Sequence, residues 1–252
     1  MPTGLHNFFH TFLPLHQIPN VLPDLLRDGL LNTLMISAAA IICGTTIGIV
    51  LATLLVSRRW YLRAPARVYV DIFRGLPIIV TVMMVGLGLP IAGLHFFGRN
   101  SYPYAVFALA LVSGAYMSEI FRSGIQSVDR GQMEAARSLG LSYLGAMRLV
   151  IVPQGVRRVL PALTNQFVAM VKDSSLVYLL GLLASQRELF SIAKDTTFET
   201  GNLSALTAAG LVYLAITIPL THAVNALDRR MREGGAVRLA TVVAFVILQH
   251  RV

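Results

Sequence analysis

Charged residues are scarce in this chain: they make up 13% of its 252 residues, whereas hydrophobic residues make up 55%. A soluble domain covers its surface with charge, so this composition predicts a protein that lies largely within a membrane. The charge that is present is unbalanced, with 21 Lys and Arg against 12 Asp and Glu. Because the basic residues lie between apolar segments rather than in a tail or on one face, we do not expect a nucleic-acid-binding protein.

Cysteine is almost absent, since Cys43 stands alone inside an apolar segment. This excludes a disulfide framework and a cysteine-based metal cluster, and the six histidines are scattered, so we expect no bound metal. The sequence has no phosphate loop of the Gly-x-x-x-x-Gly-Lys-Ser/Thr type, so we expect no ATP or other cofactor to bind to this chain. The segment Met1–Pro23 lacks a basic start and a continuous apolar core, so no cleavable signal peptide is expected.

Five apolar segments are candidates for transmembrane helices, because a helix needs about 20 residues to cross the hydrocarbon core. They are Leu30–Val56, Gly75–Leu94, Pro103–Glu119, Leu160–Leu183 and Leu203–Leu227. In the first segment, Gly44 and Gly48 form a small-xxx-small face that favours close helix packing. Lys172 and Asp173 interrupt the fourth segment, and Pro219 predicts a kink in the fifth. The sequence therefore predicts an all-α integral membrane protein with five spans.

The distribution of basic residues predicts the orientation of these spans. Most of them follow the first, third and fifth segments: Arg58, Arg59, Arg63, Arg67, Arg122, Arg130, Arg137, Arg148, Arg157, Arg158, Arg229, Arg230 and Arg232. The opposite side has only Arg27, Arg99, Arg187 and Lys194. The positive-inside rule then places the N-terminus outside and the loop between the third and fourth segments in the cytoplasm.

Three regions follow from this topology. Residues 1–28 are expected to form a periplasmic N-terminal segment, and Val21–Leu31 to form an amphipathic helix that lies on the outer surface before the first span, with Pro23 at its start. Residues 29–232 are expected to form the five-span domain, with a cytoplasmic loop at about 124–158. Residues 233–252 form a tail whose apolar run Leu239–Leu248 is too short to cross a membrane, and no role is predicted for it.

The cytoplasmic loop has more internal structure than a connector needs. Apolar residues recur at helical spacing between Gly131 and Leu139, and Gly140 suits the left-handed residue that ends a helix. Ser142 is expected to cap a second short helix, Tyr143–Val152, which Pro153 then breaks. Spacing alone leaves two interpretations open: an interfacial helix under the membrane bundle, or a docking element for a partner.

This loop resembles a known signature. Glu134-Ala135-Ala136, Gly140, Val150, Val152 and Pro153 resemble the motif of permease subunits of ATP-binding-cassette (ABC) importers. Four further segments resemble the polar amino acid uptake branch: Phe73-Arg74-Gly75-Leu76-Pro77, Ser118-Glu119-Ile120-Phe121-Arg122-Ser123-Gly124-Ile125, Gly131-Gln132 and Val171-Lys172-Asp173-Ser174-Ser175-Leu176. The resemblance runs from about Leu22 to Arg232. The branch includes histidine, glutamate/aspartate, glutamine and arginine permeases, and the glutamate/aspartate type is the one we favour.

The resemblance implies a type I importer permease of five transmembrane helices with a cytoplasmic coupling helix, located in the inner membrane. Such a subunit forms the path of a polar amino acid and catalyses no bond change, so it is not an enzyme. The implied partners are a cytoplasmic ATP-binding cassette ATPase that hydrolyses ATP, a second permease that is identical or related, and a periplasmic or lipid-anchored amino-acid-binding protein.

The resemblance also implies site residues. Contact with the ATPase is expected from Glu134, Ala135, Ala136, Gly140 and Pro153. For Glu134, the alternative is a salt bridge within the loop to Arg130 or Arg137, which is worth little at a surface.

Charged groups at membrane depth are expected to be paired or functional. Lys172 and Asp173, with Ser174 and Ser175, are candidates for binding the ammonium and carboxylate of an amino acid, and Glu119 is a further candidate in the path. Alternatively, Lys172 and Asp173 point about 100° apart on a helix, so that one lines the path and the other pairs with a neighbour. Glu119 and Arg122 are spaced to pair on one helix face, and that structural interpretation is favoured. Arg74 is expected to anchor the second span at the cytoplasmic interface.

Two rival functions remain at this point. Against a small oligomeric secondary transporter of amino acids, the sequence shows no internal duplication of spans and has too few of them, although a dimer could compensate. A small membrane enzyme would need clustered His, Asp or Cys at one membrane face. Neither explains the structured cytoplasmic loop.

Overall fold

The computed structural model describes residues 18–223, together with Gly4, Asn225 and Ala226. This part of the chain is almost entirely helical and contains no strand. The all-α class predicted from the sequence is therefore confirmed. The predicted tail, 233–252, and residues 1–17 of the predicted N-terminal segment apart from Gly4 lie outside the described residues.

The main helices are α1 Ile18–Val56, α2 Trp60–Gly75, α3 Ile78–Ile91, α4 Ser101–Ser127, α5 Arg130–Ser138, α6 Val152–Asp173, α7 Leu189–Thr200 and α8 Ser204–Ala223. A turn of helix at Tyr143–Ala146 and a π-helical segment at Met147–Ile151 lead into α6 without a break. Two 3-10 helices, Ser174–Leu180 and Ala184–Gln186, follow α6. Further π-helical segments lie within α1, at Leu25–Gly29, and within α3, at Met84–Gly88.

Three of these helices, α1, α4 and α8, are long and apolar enough to cross a membrane. The pair α2 and α3 passes the same test together, although its two halves are bent by 106° at the break between them. The described residues thus provide three spans, or four if the bent pair is counted, and the predicted number of five is not confirmed. The predicted fourth span, Leu160–Leu183, is not a continuous α-helix, because α6 ends at Asp173 and a 3-10 helix begins at Ser174.

The prediction of a separate surface helix at Val21–Leu31 is wrong. These residues belong to α1, which continues through them into the first apolar segment. Val21 and Leu25 are buried against Leu189 and Ala193 of α7, so protein covers the apolar face that was expected to lie on the membrane. Pro23 lies inside the helix rather than at its start, and a π-helical segment begins two residues later, at Leu25.

The second predicted span, Gly75–Leu94, also needs correction. Gly75 ends α2, Leu76 has an extended backbone (φ −81°, ψ 140°), and α3 begins only at Ile78. The residue before a proline is disfavoured in the helical region, so Pro77 explains why the helix breaks at Leu76. Pro77 therefore lies at a break between two helices and not in the first turn of a helix that starts at Gly75.

The glycine face of α1 packs as predicted. A Cβ atom added to Gly44 would lie 2.6 Å from Ser113 Cβ, and one added to Gly48 would lie 2.6 Å from Met117 Cβ. Both neighbours belong to α4. From the other direction, Gly114 of α4 lies against Ile47 of α1. The two helices therefore approach each other so closely that only glycine fits at these crossing points.

The chain divides into two compact units. The first comprises Met1–Arg122 and Gln166–Thr217, and its described part contains α1, α2, α3 and α7. The second comprises Ser123–Asn165 and Ile218–Val252, and it contains the whole of α5. The residues predicted to contact an ATPase all lie in the second unit, whereas Glu119 and Lys172–Ser175 lie in the first.

Candidate functional site

The helix at the centre of the loop, α5, begins one residue before the predicted start. Asp129 is its N-cap, and its Oδ1 accepts a hydrogen bond from the backbone N–H of Gly131 at 2.7 Å. An aspartate in this position satisfies a backbone donor that has no partner within the helix. Sequence reasoning missed this cap, although an aspartate directly before an apolar-periodic segment is its usual signal.

Gly140 ends α5 as predicted, with φ at +85°. The N–H of Leu141 donates to the Ala136 carbonyl at 3.2 Å, and the N–H of Gly140 donates to the Arg137 carbonyl at 3.0 Å. This pair of bonds is the Schellman motif, which requires a left-handed residue at the position of Gly140. The turn fixes the direction in which the chain leaves the helix.

Glu134 and Ala135 are exposed on α5, whereas Ala136 is only 4% exposed and attaches the helix to its own unit. Within the residues that the structure describes, Glu134 makes no ion pair with Arg130 or Arg137. The Arg137 guanidinium instead donates to the Leu141 carbonyl at 2.8 Å. The alternative of a salt bridge inside the loop is therefore not observed, and the Glu134 carboxylate faces outward.

The second helix of the loop is longer than predicted. Ser142 caps it as expected, since its Oγ accepts from the N–H of Gly145 at 3.1 Å. However, Pro153 does not break it: the helix continues through this exposed proline into α6. The π-helical segment Met147–Ile151 ends two residues before Pro153, and the wider turn of such a segment accommodates a residue that lacks an N–H.

Close contacts inside the second unit hold this loop in place. Gly124 and Gly155 touch through their backbones: a Cβ on either residue would lie 2.8 Å from the other's carbonyl oxygen. The Arg158 guanidinium donates to the Ser127 carbonyl. Gln154 Nε2 donates to Gln132 Oε1 at 3.2 Å, which joins α6 to α5. The exposed face of α5 is thus presented by a tightly packed support.

The group predicted to bind substrate lies where α6 ends. Lys172 is exposed and Asp173 is half-buried in the last turn of this helix. Ser174 Oγ donates to the Val171 carbonyl and Ser175 Oγ donates to the Lys172 carbonyl, both at 2.7 Å. Since both hydroxyl protons are used by the backbone, Lys172 is the member of this group that remains available to a carboxylate.

Glu119 is paired, and with two partners rather than one. Arg122 on the same helix binds its Oε2, with the Nε at 3.1 Å, as the spacing predicted. Arg67 of α2 binds its Oε1, with Nη1 at 3.1 Å. Spacing along one helix cannot reveal the second partner, because it lies 52 residues away in sequence. Glu119 therefore joins α2 to α4, and its carboxylate is not free for substrate.

A buried carboxylate that sequence reasoning missed lies just before α7. Glu188 is fully buried and accepts hydrogen bonds from Phe190 N, Ser191 N, Ser191 Oγ and Tyr213 Oη, at 2.5, 2.7, 2.6 and 3.2 Å. Burial raises the pKa of Glu188, and these hydrogen bonds oppose the rise. Its position as the N-cap of α7 gives it a structural role.

The segment before Glu188 is fastened to α1. Asn32 Nδ2 donates to the carbonyls of Ser185 and Arg187, at 3.1 and 3.0 Å, and the N–H of Leu189 donates to Thr33 Oγ1 at 3.1 Å.

Among the described residues, no three His, Cys, Asp or Glu side chains are grouped so that they could hold a metal ion.

A family model described as "Binding-protein-dependent transport system inner membrane component" matches residues 44–233. The arginine transport system permease protein ArtQ of Bacillus subtilis (strain 168) is 35% identical over 217 residues, which are 86% of this chain and 94% of ArtQ. The probable glutamine ABC transporter permease protein GlnM of the same organism is 36% identical over 211 residues, which are 82% of this chain and 93% of GlnM.

The comparison with solved structures also finds an amino acid ABC transporter. The crystal structure of an amino acid ABC transporter with histidines contains a chain that is 31% identical, with a TM-score of 0.75, and the match covers 87% of this chain and 98% of that one. The family match spans most of the sequence, and it includes both the loop around α5 and the end of α6. The chain therefore belongs to the family of binding-protein-dependent transport system inner membrane components, and it is a permease subunit of an ABC transporter.

Proposed function

We propose that this permease carries polar amino acids inward through the inner membrane, with α5 as the helix that couples it to a cytoplasmic ATPase. In this proposal the chain crosses the membrane five times, with its N-terminus outside and the α5 loop in the cytoplasm. The observation that supports coupling best is the outward-facing Glu134 on a short helix whose two ends are both fixed. The excess of basic residues in the same loop supports the orientation.

The exposed face of this loop has the chemistry of a protein-docking surface. In the same loop as Glu134, the apolar side chains Leu139 and Leu144 are 85% and 78% exposed. A loop that exposes both a carboxylate and apolar groups suits a partner that offers an arginine in a partly desolvated cleft, where a charge-assisted hydrogen bond gains strength. Ala135, Gly140 and Pro153 of the same loop are also exposed.

The support behind α5 explains how movement would be transmitted. The Gly124–Gly155 contact and the Gln132–Gln154 hydrogen bond leave little room for α5 to shift within its own unit. When ATP binding closes the ATPase dimer, the α5 helices of two permeases are drawn together and the helices attached to them move as rigid bodies. The second permease is an identical or a related chain.

The substrate is a polar amino acid, in line with the names of the relatives. Asp173 provides an anion for the ammonium group, and Lys172 is the candidate for the carboxylate that the sequence indicated. A binding protein outside the membrane delivers the amino acid. Neither relative named above is a glutamate/aspartate permease, so that substrate type stays a prediction. The secondary transporter remains the alternative function, and nothing in the comparisons favours it.

Co-purification tests the coupling assignment. The complex is solubilised from its native membrane and pulled down with the wild-type permease, with Glu134→Lys and with Glu199→Lys, which reverses an exposed carboxylate at the end of α7. We expect the ATPase subunit with the wild type and with Glu199→Lys, and an at least tenfold loss with Glu134→Lys, since reversal adds repulsion to the lost contact (roughly 1.4 kcal/mol corresponds to a factor of ten).

Three outcomes would contradict parts of this proposal. Equal recovery of the ATPase with Glu134→Lys would show that Glu134 is not the coupling contact. No ATPase with the wild type, under conditions that preserve known transporter complexes, would contradict the importer itself. Amino-acid uptake that persists without the ATPase would favour the secondary transporter.

A further inference from the structure

The turn between α1 and α2 carries the first charges after a long uncharged segment. No charged residue occurs from Gly29 to Ser57, and Arg58 and Arg59 then follow. This uncharged segment is long enough to cross the hydrocarbon core, which needs about 20 helical residues. Since α1 is long and apolar enough to span a membrane and ends at Val56, the two arginines lie where the chain reaches one membrane surface.

The turn directs α2 back against α1. Ser57 (φ −59°, ψ 141°) and Arg59 (φ −82°, ψ 113°) both lie outside the helical region, and the N–H of Arg59 donates to Ser57 Oγ at 3.2 Å. Beyond the turn, Ala66 and Val70 of α2 are buried in one cluster with two leucines near the end of α1. The first turn of α2 therefore lies at the same membrane surface at which α1 ends.

The second half of α2 is bound to α4. Arg67 Nη1 binds Glu119 Oε1, and Tyr69 Oη donates to the Leu111 carbonyl at 2.9 Å. The guanidinium carbon of Arg74 lies 5.6 Å from the centre of an aromatic ring of α4. These contacts fix the rotation of α2 about its own axis, and they determine which of its side chains remain exposed.

Three arginines at the start of α2 have no such contacts. Arg58, Arg59 and Arg63 are exposed, and none of them forms an ion pair within the residues that the structure describes. No acidic residue occurs in the sequence between Asp28 and Asp71. A cluster of cations with no carboxylate in its own segment creates a positive potential that favours an anionic partner.

Exposed apolar side chains accompany this arginine cluster. Trp60 is 72% exposed and Tyr61 is 52% exposed, and both residue types favour the level of lipid headgroups. Tyr61, Val68 and Ile72 are seven and four residues apart, which places them on one face of α2, and all three are exposed. An apolar face beside a set of arginines is typical of a helix that lies at a lipid surface.

A second copy of this chain suits the same surface less well. A two-fold interface places each patch opposite its own copy, so the arginine clusters of two chains would face each other. Like charges in that arrangement disfavour association. A phospholipid offers both complements at once, because its phosphate is negative and its acyl chains are apolar.

We propose that the start of α2 binds an anionic phospholipid. The guanidinium groups of Arg58, Arg59 and Arg63 hold the phosphate headgroup, and the acyl chains lie along the exposed face of Val68 and Ile72. This site goes beyond the proposed function, since it involves neither the transported amino acid nor the ATPase.

The test uses Trp60, which is the only tryptophan of the chain. The full-length permease is reconstituted in phosphatidylcholine bilayers that contain an equal, small fraction of brominated phosphatidylglycerol or of brominated phosphatidylcholine. Bromine near the top of an acyl chain quenches the fluorescence of a tryptophan that it contacts. We expect phosphatidylglycerol to be favoured at Trp60 by at least about fivefold, the preference that one arginine contributes near an anionic surface.

Two variants separate the arginine cluster from the net charge of the protein. The first replaces the cluster (Arg58→Gln/Arg59→Gln/Arg63→Gln), and we expect it to be quenched equally by the two lipids. The matched control removes three exposed arginines from other segments (Arg27→Gln/Arg99→Gln/Arg157→Gln), and we expect it to keep the wild-type preference. In the wild type itself, high salt should lower the preference, because it screens exposed charges.

The outcomes are distinct. Equal quenching of the wild type by the two lipids, or a preference that high salt leaves unchanged, would overturn the proposal. No quenching by either lipid would also overturn it, since protein such as a second copy would then cover Trp60. An equal loss of preference in both variants would assign the effect to net charge. Displacement of the brominated phosphatidylglycerol by an equal concentration of soluble glycerol phosphate would show a site for free anions instead of a lipid.

Discussion

The glycine crossing between α1 and α4 offers the sharpest test of the packing. In Gly48→Ala, the added Cβ would lie 2.6 Å from Met117 Cβ, 3.1 Å from the backbone nitrogen of Ser118 and 3.2 Å from the carbonyl carbon of Met117. Two of these three atoms are backbone, and the third is a Cβ fixed to it. No side-chain rotation relieves the contact, so the two helices must move apart.

The expected size of the effect follows from this geometry. Forcing an extra carbon into a packed interface costs about 1–3 kcal/mol, and the separation of two helices affects their whole crossing rather than one side chain. A loss of about 2 kcal/mol lowers the unfolding midpoint of a chain of this length by roughly 4–8 °C. Gly210→Ala is the matched control: it adds the same carbon within α8, where the new atom would meet nothing within 4 Å.

Thermal unfolding of the purified permease in detergent, followed by the loss of helical circular dichroism, measures both variants against the wild type. We expect a lowered midpoint for Gly48→Ala and an unchanged or slightly raised one for Gly210→Ala, since alanine favours a helix over glycine. If the two variants unfold at the same temperature, the close approach of α1 and α4 is refuted.

Two further predictions concern Glu188 and Gly140. Because burial raises the pKa of Glu188 in the folded protein, its contribution to stability is present below the ordinary glutamate pKa of about 4.3 and is lost as the pH rises through the raised folded-state pKa. Glu188→Gln does not titrate, so its unfolding midpoint should depend less on pH across that interval, and a slope equal to that of the wild type would contradict the buried site. Gly140→Ala places a Cβ at φ +85°, which costs about 1–2 kcal/mol in the left-handed region. We expect it to weaken co-purification of the ATPase, and full retention of the ATPase would count against α5 as the coupling helix.

The features of the site that the sequence predicted correctly are those whose interacting residues lie close together in the sequence. Gly140, Ser142 and the Glu119–Arg122 pair each act within a turn or two of helix, where spacing determines the geometry. Glu188 was missed because its partner Tyr213 is 25 residues away, and nothing in a run of residues indicates which distant hydroxyl will meet a buried carboxylate.

Two prolines explain most of the errors in the fold. Pro23 and Pro153 were expected to start or to end a helix, and both lie inside one, each with a single residue between it and a π-helical segment. Such a segment changes the hydrogen-bond spacing where the proline lacks its N–H, and composition does not reveal where this happens. At Pro77 the usual expectation for a proline does hold, but it separates two helices rather than starting a single span.

The length of α1 has a mechanical consequence. Its 39 residues measure about 58 Å, almost twice the roughly 30 Å of the hydrocarbon core. The N-terminal turns of α1 pack against α7 through buried apolar side chains, and this packing restrains them from bending independently of α7. Because α1 is so long, a tilt of only about 10° about one end displaces the other end by about 10 Å. A small change in the tilt of α1 thus becomes a large displacement at its far end.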